Sequence, residues 1–365
     1  MKLLINLKNY KMKKIIVLAL LSLTMIMCKS REEKKVVVPE TATKVEKIVN
    51  KIPEVETVFS SQDIRPGNLA LTSNGRLFIS MNPLVSPKTK VFELNTDGEN
   101  SAVGYPNEAY ATGDNSVFKG VIGIRADSKG SLYLLDMLAK EFVIWDTKTE
   151  KLVKKIPLPA DAVVSTSFLQ DFIIDEKHNR LIIADMTQGD LKSAPIPAFI
   201  VVDIETGTTK RMAKSHPSMM PEVEGGFALN PIAIDPNFEY VYFGALNGRT
   251  IYRVPAASFD DDEKLKSDIK KFGTKSFCDG MAVDSNENVY ITNIEKTEIG
   301  VFNKKDGFKT LATLPKGQSW PDGLYVANDG YVYGTVDQLN RTAALNKGED
   351  ISTGPYLVIR TPLLK

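Results

Sequence analysis

The 365 residues are 43% apolar and 25% charged, enough to bury a large core within a single all-β domain. Basic and acidic residues nearly cancel, 46 against 45, so the formal charge of +1 excludes a global field that would gather nucleic acid or an anionic surface. With only Cys28 and Cys278, a disulfide framework is excluded as well.

In chain order, Lys13 and Lys14 precede the apolar run IIVLALLSLTMIM, which ends at Cys28 and is followed by KSREEKK. A positive start and a short apolar core predict a secretory signal over residues 1–28, too short to span a bilayer comfortably. Cys28 at its end matches the acylated cysteine of a lipoprotein signal, although Met27 stands where a small residue is usual. The expected location is therefore outside the cytoplasm, as an envelope lipoprotein anchored only through its lipid, with a periplasmic or extracellular protein as the alternative. Met12, leading MKK into the apolar run, is an alternative start to Met1. Residues 29–53 are rich in Lys, Glu, Val and Thr without a packing period and read as a solvated tether. The folded domain is placed at 54–365.

From there one unit repeats. Its clearest copy is SWPDGLYVANDGYVYGTV at 319–336, in which Asn328-Asp329-Gly330 supplies the turn between two apolar strands. Five earlier copies precede it: GNLALTSNGRLFISM (67–81), VIGIRADSKGSLYLLDM (121–137), QDFIIDEKHNRLIIADM (170–186), NPIAIDPNFEYVYFGAL (230–246) and CDGMAVDSNENVYITNI (278–294). Spacings of roughly 40 to 60 residues are those of propeller blades. Further strand pairs are predicted in FVIWDTKTEKLVKKIPL, FIVVDIETGTTKRMA, TIYRVPAASF and EIGVFNKKDGFKTLATL. Four antiparallel strands, six times over, predict an all-β fold, a six-bladed β-propeller. VETVFS at 55–60 is expected to complete the last blade against YLVIR at 356–360, sealing the ring. Residues 193–198 and 258–273 interrupt the pattern, the second with room for a short helix, and 85–119 is read as a weakly patterned segment that contributes to a lid.

When the hairpins are aligned on their turns, the position just before each inner strand holds Gly67, Ile122, Gln170, Asn230, Asp279 and Asp322. The last four predict a polar arc in the channel, joined by Asn68 and Asp171. Phe168, Phe227, Phe277 and Trp320 lie two or three residues upstream and predict an aromatic collar. Such an arrangement suits an amphipathic or aromatic small molecule, with Phe227 and Trp320 as stacking walls. The plainer reading is that these polar residues bind backbone N–H groups between blades and the rings fill gaps. Asn230, Asp279 and Asp322 also offer hard oxygen ligands to Ca²⁺ or another divalent ion. His178 and His216 have no zinc spacing, no nucleophile has a histidine partner in a recognisable motif, and Cys278 reads as a structural thiol.

The order and spacing of GVIGIRADSKGSLYLLD, SFLQDFIIDEKHNRLIIAD, NPIAIDPNFEYVYFGALNGRTIYRVP, DGMAVDSNENVYITN and WPDGLYVANDGYVYGT resemble a bacterial member of the major royal jelly protein and Yellow family, from about residue 55 to 360. That resemblance implies a secreted six-bladed propeller. Its insect members are associated with dopachrome conversion, nutrition, and binding of biogenic amines or sterols. The chain departs from the family pattern at Asn230-Pro231, where Asn-Gly is usual, and at Gln170-Asp171, where Asn-Asp is usual. A more distant likeness is to gluconolactonase and senescence-marker propellers, whose divalent-metal ligands resemble Asp279 or Asp322, Asn230 and Asn68, with no counterpart here of their glutamate. The expected function is small-molecule binding in the channel of a monomer. Alternatives are a metal-dependent lactonase-like hydrolase, a dopachrome-type isomerase and a surface-presenting scaffold.

Overall fold

Alternating apolar positions on either side of Asx-Gly and Asx-containing turns produce six antiparallel four-stranded sheets. The computed structural model describes residues 51–95 and 100–365. The expected signal peptide at 1–28, Cys28 as its expected acylation site, and all but the last three residues of the expected tether at 29–53 lie outside the described residues.

The first strands of the blades are Pro66–Leu71, Val121–Ala126, Leu169–Asp175, Leu229–Ile234, Met281–Val283 and Pro321–Val326. They pack against one another in sequence order, and the sixth returns to the first, so the ring is closed. The seam is made as the sequence implies: Glu56–Ser61 pairs antiparallel with Tyr356–Pro362, with Glu56 opposite Arg360 and Ser61 opposite Tyr356. This pairing covers an edge that would otherwise be open. Just upstream, the Val55 N–H reaches the Thr313 carbonyl of the fifth blade at 3.0 Å.

The core is distributed between blades. Six hydrophobic clusters occur among the described residues, one at each blade junction; Phe142 and Phe172, for example, meet edge-on at 4.9 Å between blades 2 and 3. Burial on both faces of each sheet explains why the inner strands read as nearly continuous apolar runs.

Two expectations are corrected. The stretch 85–119 contains the two outer strands of blade 1, Val91–Asn95 and Ser101–Gly104, followed by the short helix Glu108–Ala111. The outermost of these is only four residues long and leaves Val103 69% exposed, so no alternating pattern marks it. TIYRVPAASF supplies one strand, Thr250–Pro255, not two. Ala256–Asp260 turns as a 3-10 helix, Asp261 caps the helix Asp262–Asp268 by accepting from the Lys264 N–H at 2.8 Å, and the fourth strand arrives only at Lys270–Thr274.

Candidate functional site

Five of the six inner strands slip register at the same place, near their beginnings: Pro66/Leu69, Val121/Gly123, Leu169/Asp171, Leu229/Ile232 and Pro321/Leu324. A bulge inserts an extra residue and re-aims side chains, and here it delivers polar residues to the channel axis. Hydroxyls on the second strands satisfy N–H groups at the starts of the inner strands, whether or not a bulge occurs there. Ser80 Oγ accepts from the Asn68 N–H at 3.2 Å, Thr292 Oγ1 from the Gly280 N–H at 2.8 Å and Thr335 Oγ1 from the Gly323 N–H at 2.9 Å. Ser80 and Thr335 also donate to the next blade, at the carbonyls of Ile122 and Gly67.

Gln170, Asp171, Asn230, Asp279 and Asp322 do meet, together with Asn68 and Asn82, around a small chamber of about 10 Å³. That is the room of one water or one ion. Asp279 is held from two sides: Gln170 Nε2 donates to its Oδ1 at 3.1 Å and Trp320 Nε1 to its Oδ2 at 2.8 Å. Asp171 pairs with Arg125, whose Nη1 also donates to Asn68 Oδ1 at 2.7 Å. Asn230 lies close enough to Asp279 to favour its charged form, yet neither its amide nitrogen nor its oxygen makes a hydrogen bond of ordinary geometry.

Two residues beside the chamber escaped sequence reasoning. Arg125 is the only charged side chain within the inner strand of its hairpin, VIGIRA, which was the available signal. Asp337 follows the second strand of the last hairpin, where the corresponding residues of hairpins two to five are Met137, Met186, Leu246 and Ile294. It is fully buried; the Leu339 N–H reaches its Oδ1 at 3.0 Å, and its Oδ2 has no partner. Asp337 lies beside Asp322. Burial, then the charge of Asp279, pushes its carboxyl up to about 8. Asp322 is raised well above the usual carboxylate range, first by burial and then by Asp279 and Asp337. Burial also raises Asp279, opposed chiefly by the Trp320 donor, and raises Asp171, opposed chiefly by Arg125. The chamber thus concentrates carboxyls faster than cations, and in low dielectric such charges hold protons or recruit a positive ion.

The aromatic residues take other places. Phe168 is buried in the junction of blades 2 and 3, and Phe227 packs against it. Phe277 lies under the Arg249 guanidinium at 3.9 Å. Trp320 is half-buried and addresses the chamber through its indole N–H instead of its face; its φ of 54° is left-handed, a costly conformation for a bulky residue. Cys278 is fully buried, and burial pushes its thiol up. His178 rests on Asp175 through Nδ1 at 2.8 Å, and His216 caps a 3-10 turn; neither approaches the chamber lining. Among the described residues, no three acidic, histidine or cysteine side chains gather as a metal cluster, so any ion in the chamber would rest on mixed amide and carboxylate oxygens.

Beyond Arg125 the channel widens into a funnel of about 780 Å³, which opens on the opposite face, between the hairpin turns.

The sequence profile described as major royal jelly protein matches residues 120–350. No curated protein matches the chain in sequence. Among solved structures, a luciferin-regenerating enzyme superposes with a TM-score of 0.59 at 14% identity, over 86% of this chain and 96% of that one. A gluconolactonase from Xanthomonas campestris gives 0.56 at 13% identity, over 84% and 89%. The calcium-binding protein regucalcin from Agrobacterium tumefaciens gives 0.54 at 12% identity, over 84% and 92%. At these identities the likeness is one of fold.

Proposed function

The chain belongs to the major royal jelly protein family, and from that premise we propose that it is an exported propeller that binds a small amphipathic or aromatic molecule in its central channel. The polar end of the ligand enters the chamber formed by Gln170, Asn230, Asp279 and Asp322, with Asp171 fixed behind by Arg125. One observation carries this reading: Gln170 Oε1 and both side-chain polar atoms of Asn230 are buried without partners around a single chamber. Each such atom costs about 1–3 kcal/mol unless something supplies the missing bond. The space is water-sized as it stands, so Trp320 has to leave Asp279 for a larger group to enter. The Trp320 ring then becomes a wall, while Phe227 stays packed at the junction of blades 2 and 3. The test is a thermal-shift screen with amines and catechols, repeated on Asp322→Ala. A stabilisation lost in the variant supports the reading, and no response across the screen rejects it.

The same orphaned oxygens favour a second reading, a divalent ion held by Asn230, Asp279 and Asp322 with Gln170 and Asp337 alongside. Such an ion would polarise a carbonyl for hydrolysis, as in a lactonase. Elemental analysis of the purified protein, with melting measured before and after chelation, decides it: neither bound metal nor a change in melting leaves this reading without support. Export through the Cys28 lipoprotein signal is tested separately, by palmitate labelling of wild type and Cys28→Ala.

A further inference from the structure

The funnel on the far side of Arg125 is a compartment apart from the polar chamber. Its walls are the later parts of the six inner strands, which carry Leu71, Ile173, Ile234, Val283 and Val326. Ala233 and Ala282 occupy equivalent positions on the adjacent blades 4 and 5, and their small size opens the lumen on that side. At the floor stand Arg125, its charge already taken by Asp171, and Tyr325, whose hydroxyl has no hydrogen-bond partner among the described residues. At the mouth are the carboxylates of Asp127, Glu176, Asp235 and Asp329, none in an ion pair among the described residues. The one arginine at the rim, Arg360, is held by Glu56 at 2.9 Å.

We propose that this funnel is a second binding site, for an aliphatic amphipathic cation whose hydrocarbon body lies over Ala233 and Ala282 and whose positive group stays at the acidic mouth. The volume is in the range of small-molecule pockets, about 300–1,000 Å³. The hydrocarbon is favoured because the walls are mainly Leu, Ile, Val, Ala and Met; Phe238, Tyr325 and Tyr333 also line the funnel, but no two of these rings form an aromatic pair with each other among the described residues. The positive charge is favoured because four carboxylates line one opening; they are capped by N–H and O–H donors of the turns, but no cation there neutralises them among the described residues. The inference is independent of the chamber, since it uses neither Asp279 nor Trp320.

The probe is decyltrimethylammonium, kept below its micellar concentration, with decyl sulfate as the anion of equal chain length; binding is followed by titration calorimetry. The ammonium is expected to bind at least tenfold more tightly than the sulfate. The double variant Ala233→Leu/Ala282→Leu, which fills the lumen from two blades, is expected to weaken it tenfold or more. Glu176→Gln/Asp329→Asn is expected to reduce the preference over sulfate several-fold and to flatten its salt dependence, and both residues lie in turns where loss of charge leaves the core intact. Equal binding of both detergents, or undiminished binding to the filled variant, overturns the proposal. Because the lumen-filling changes lie outside the polar chamber, the thermal response to amines and catechols is expected to survive them, which separates failure of this site from failure of the chamber.

Discussion

The indole nitrogen of Trp320 donates to Asp279 Oδ2 at 2.8 Å across the boundary between the sixth and fifth blades. The bond does two things: it ties the two blades together and supplies one of the two side-chain donors to a buried carboxyl. Trp320→Phe keeps the ring and removes the donor. The expected loss is about 2 kcal/mol, the range for a hydrogen bond to a charged buried group, read by urea denaturation. With Trp145→Phe in the background, Trp320 is the sole tryptophan. Ligand binding in the chamber should then shift its emission and raise its accessibility to iodide, and an unresponsive emission would count against its leaving Asp279.

Asp337 sets the expected pH dependence. Its folded-state carboxyl is raised from the ordinary 3.8 to about 8, so between those values the native protein holds a proton that the unfolded chain has released. Stability from this group is therefore fullest below about pH 4 and falls as pH rises toward 8, by at most about 1.4 kcal/mol per pH unit for one proton. Asp337→Asn keeps an acceptor for the Leu339 N–H and carries no charge. It should flatten the decline and leave the variant more stable than wild type at pH 8, as measured by denaturation at pH 5 and pH 8. If a cation occupies the chamber, wild type will hold its stability at pH 8 until chelator is added.

Much of this is legible in the sequence. The hairpins, the blade number and the seam rest on local signals: turn residues, period-two apolar strands, and an unpaired strand at each end of the domain. So does the meeting of Gln170, Asn230, Asp279 and Asp322, because equivalent positions in a closed ring must face one axis. What sequence could not show was the space they enclose. Arg125 reaches across from blade 2 to Asp171 and Trp320 from blade 6 to Asp279, and a side chain's reach is not a matter of spacing. The funnel was hidden for the opposite reason: Ala233 and Ala282 matter through volume they do not fill.

Lys275 provides a test of how blades 4 and 5 are joined. Its buried ammonium donates to the carbonyls of Ala245 and Gly248, each at 2.7 Å, and to Ser276 at 3.3 Å. Lys275→Met keeps the length of the side chain and strands these carbonyls. The expected cost is about 3 kcal/mol, seen as a lower urea midpoint with an unchanged slope. A variant as stable as wild type would show that the carbonyls are satisfied by water and that the lysine is not the bolt its geometry suggests.

The Asp-Gly pairs have a reason beyond the aspartate. A Cβ on Gly280 would sit 2.0 Å from the carbonyl oxygen of Asp322 in the next blade, and one on Gly323 would sit 2.6 Å from Asn68 Oδ1. The first obstacle is a backbone oxygen and cannot swing away; the nearest atom in the second is the end of a side chain, with the Asn68 Cα behind it at 3.0 Å. Neither glycine has a positive φ among those recorded, so the requirement is close approach and not a left-handed turn. Gly280→Ala should therefore push blades 5 and 6 apart exactly where Asp279 and Asp322 face each other. A loss of more than about 3 kcal/mol is expected, beyond the usual range for a single methyl group, together with weakened quenching protection of Trp320. Gly323→Ala should cost less, because Asn68 can rotate at the expense of its bonds to Arg125 and the Leu69 N–H, leaving a backbone contact at 3.0 Å instead of 2.0 Å. Equal melting temperatures for the two variants would show that the blades yield as easily as a side chain, and the rigid ring on which the site depends would have to be given up.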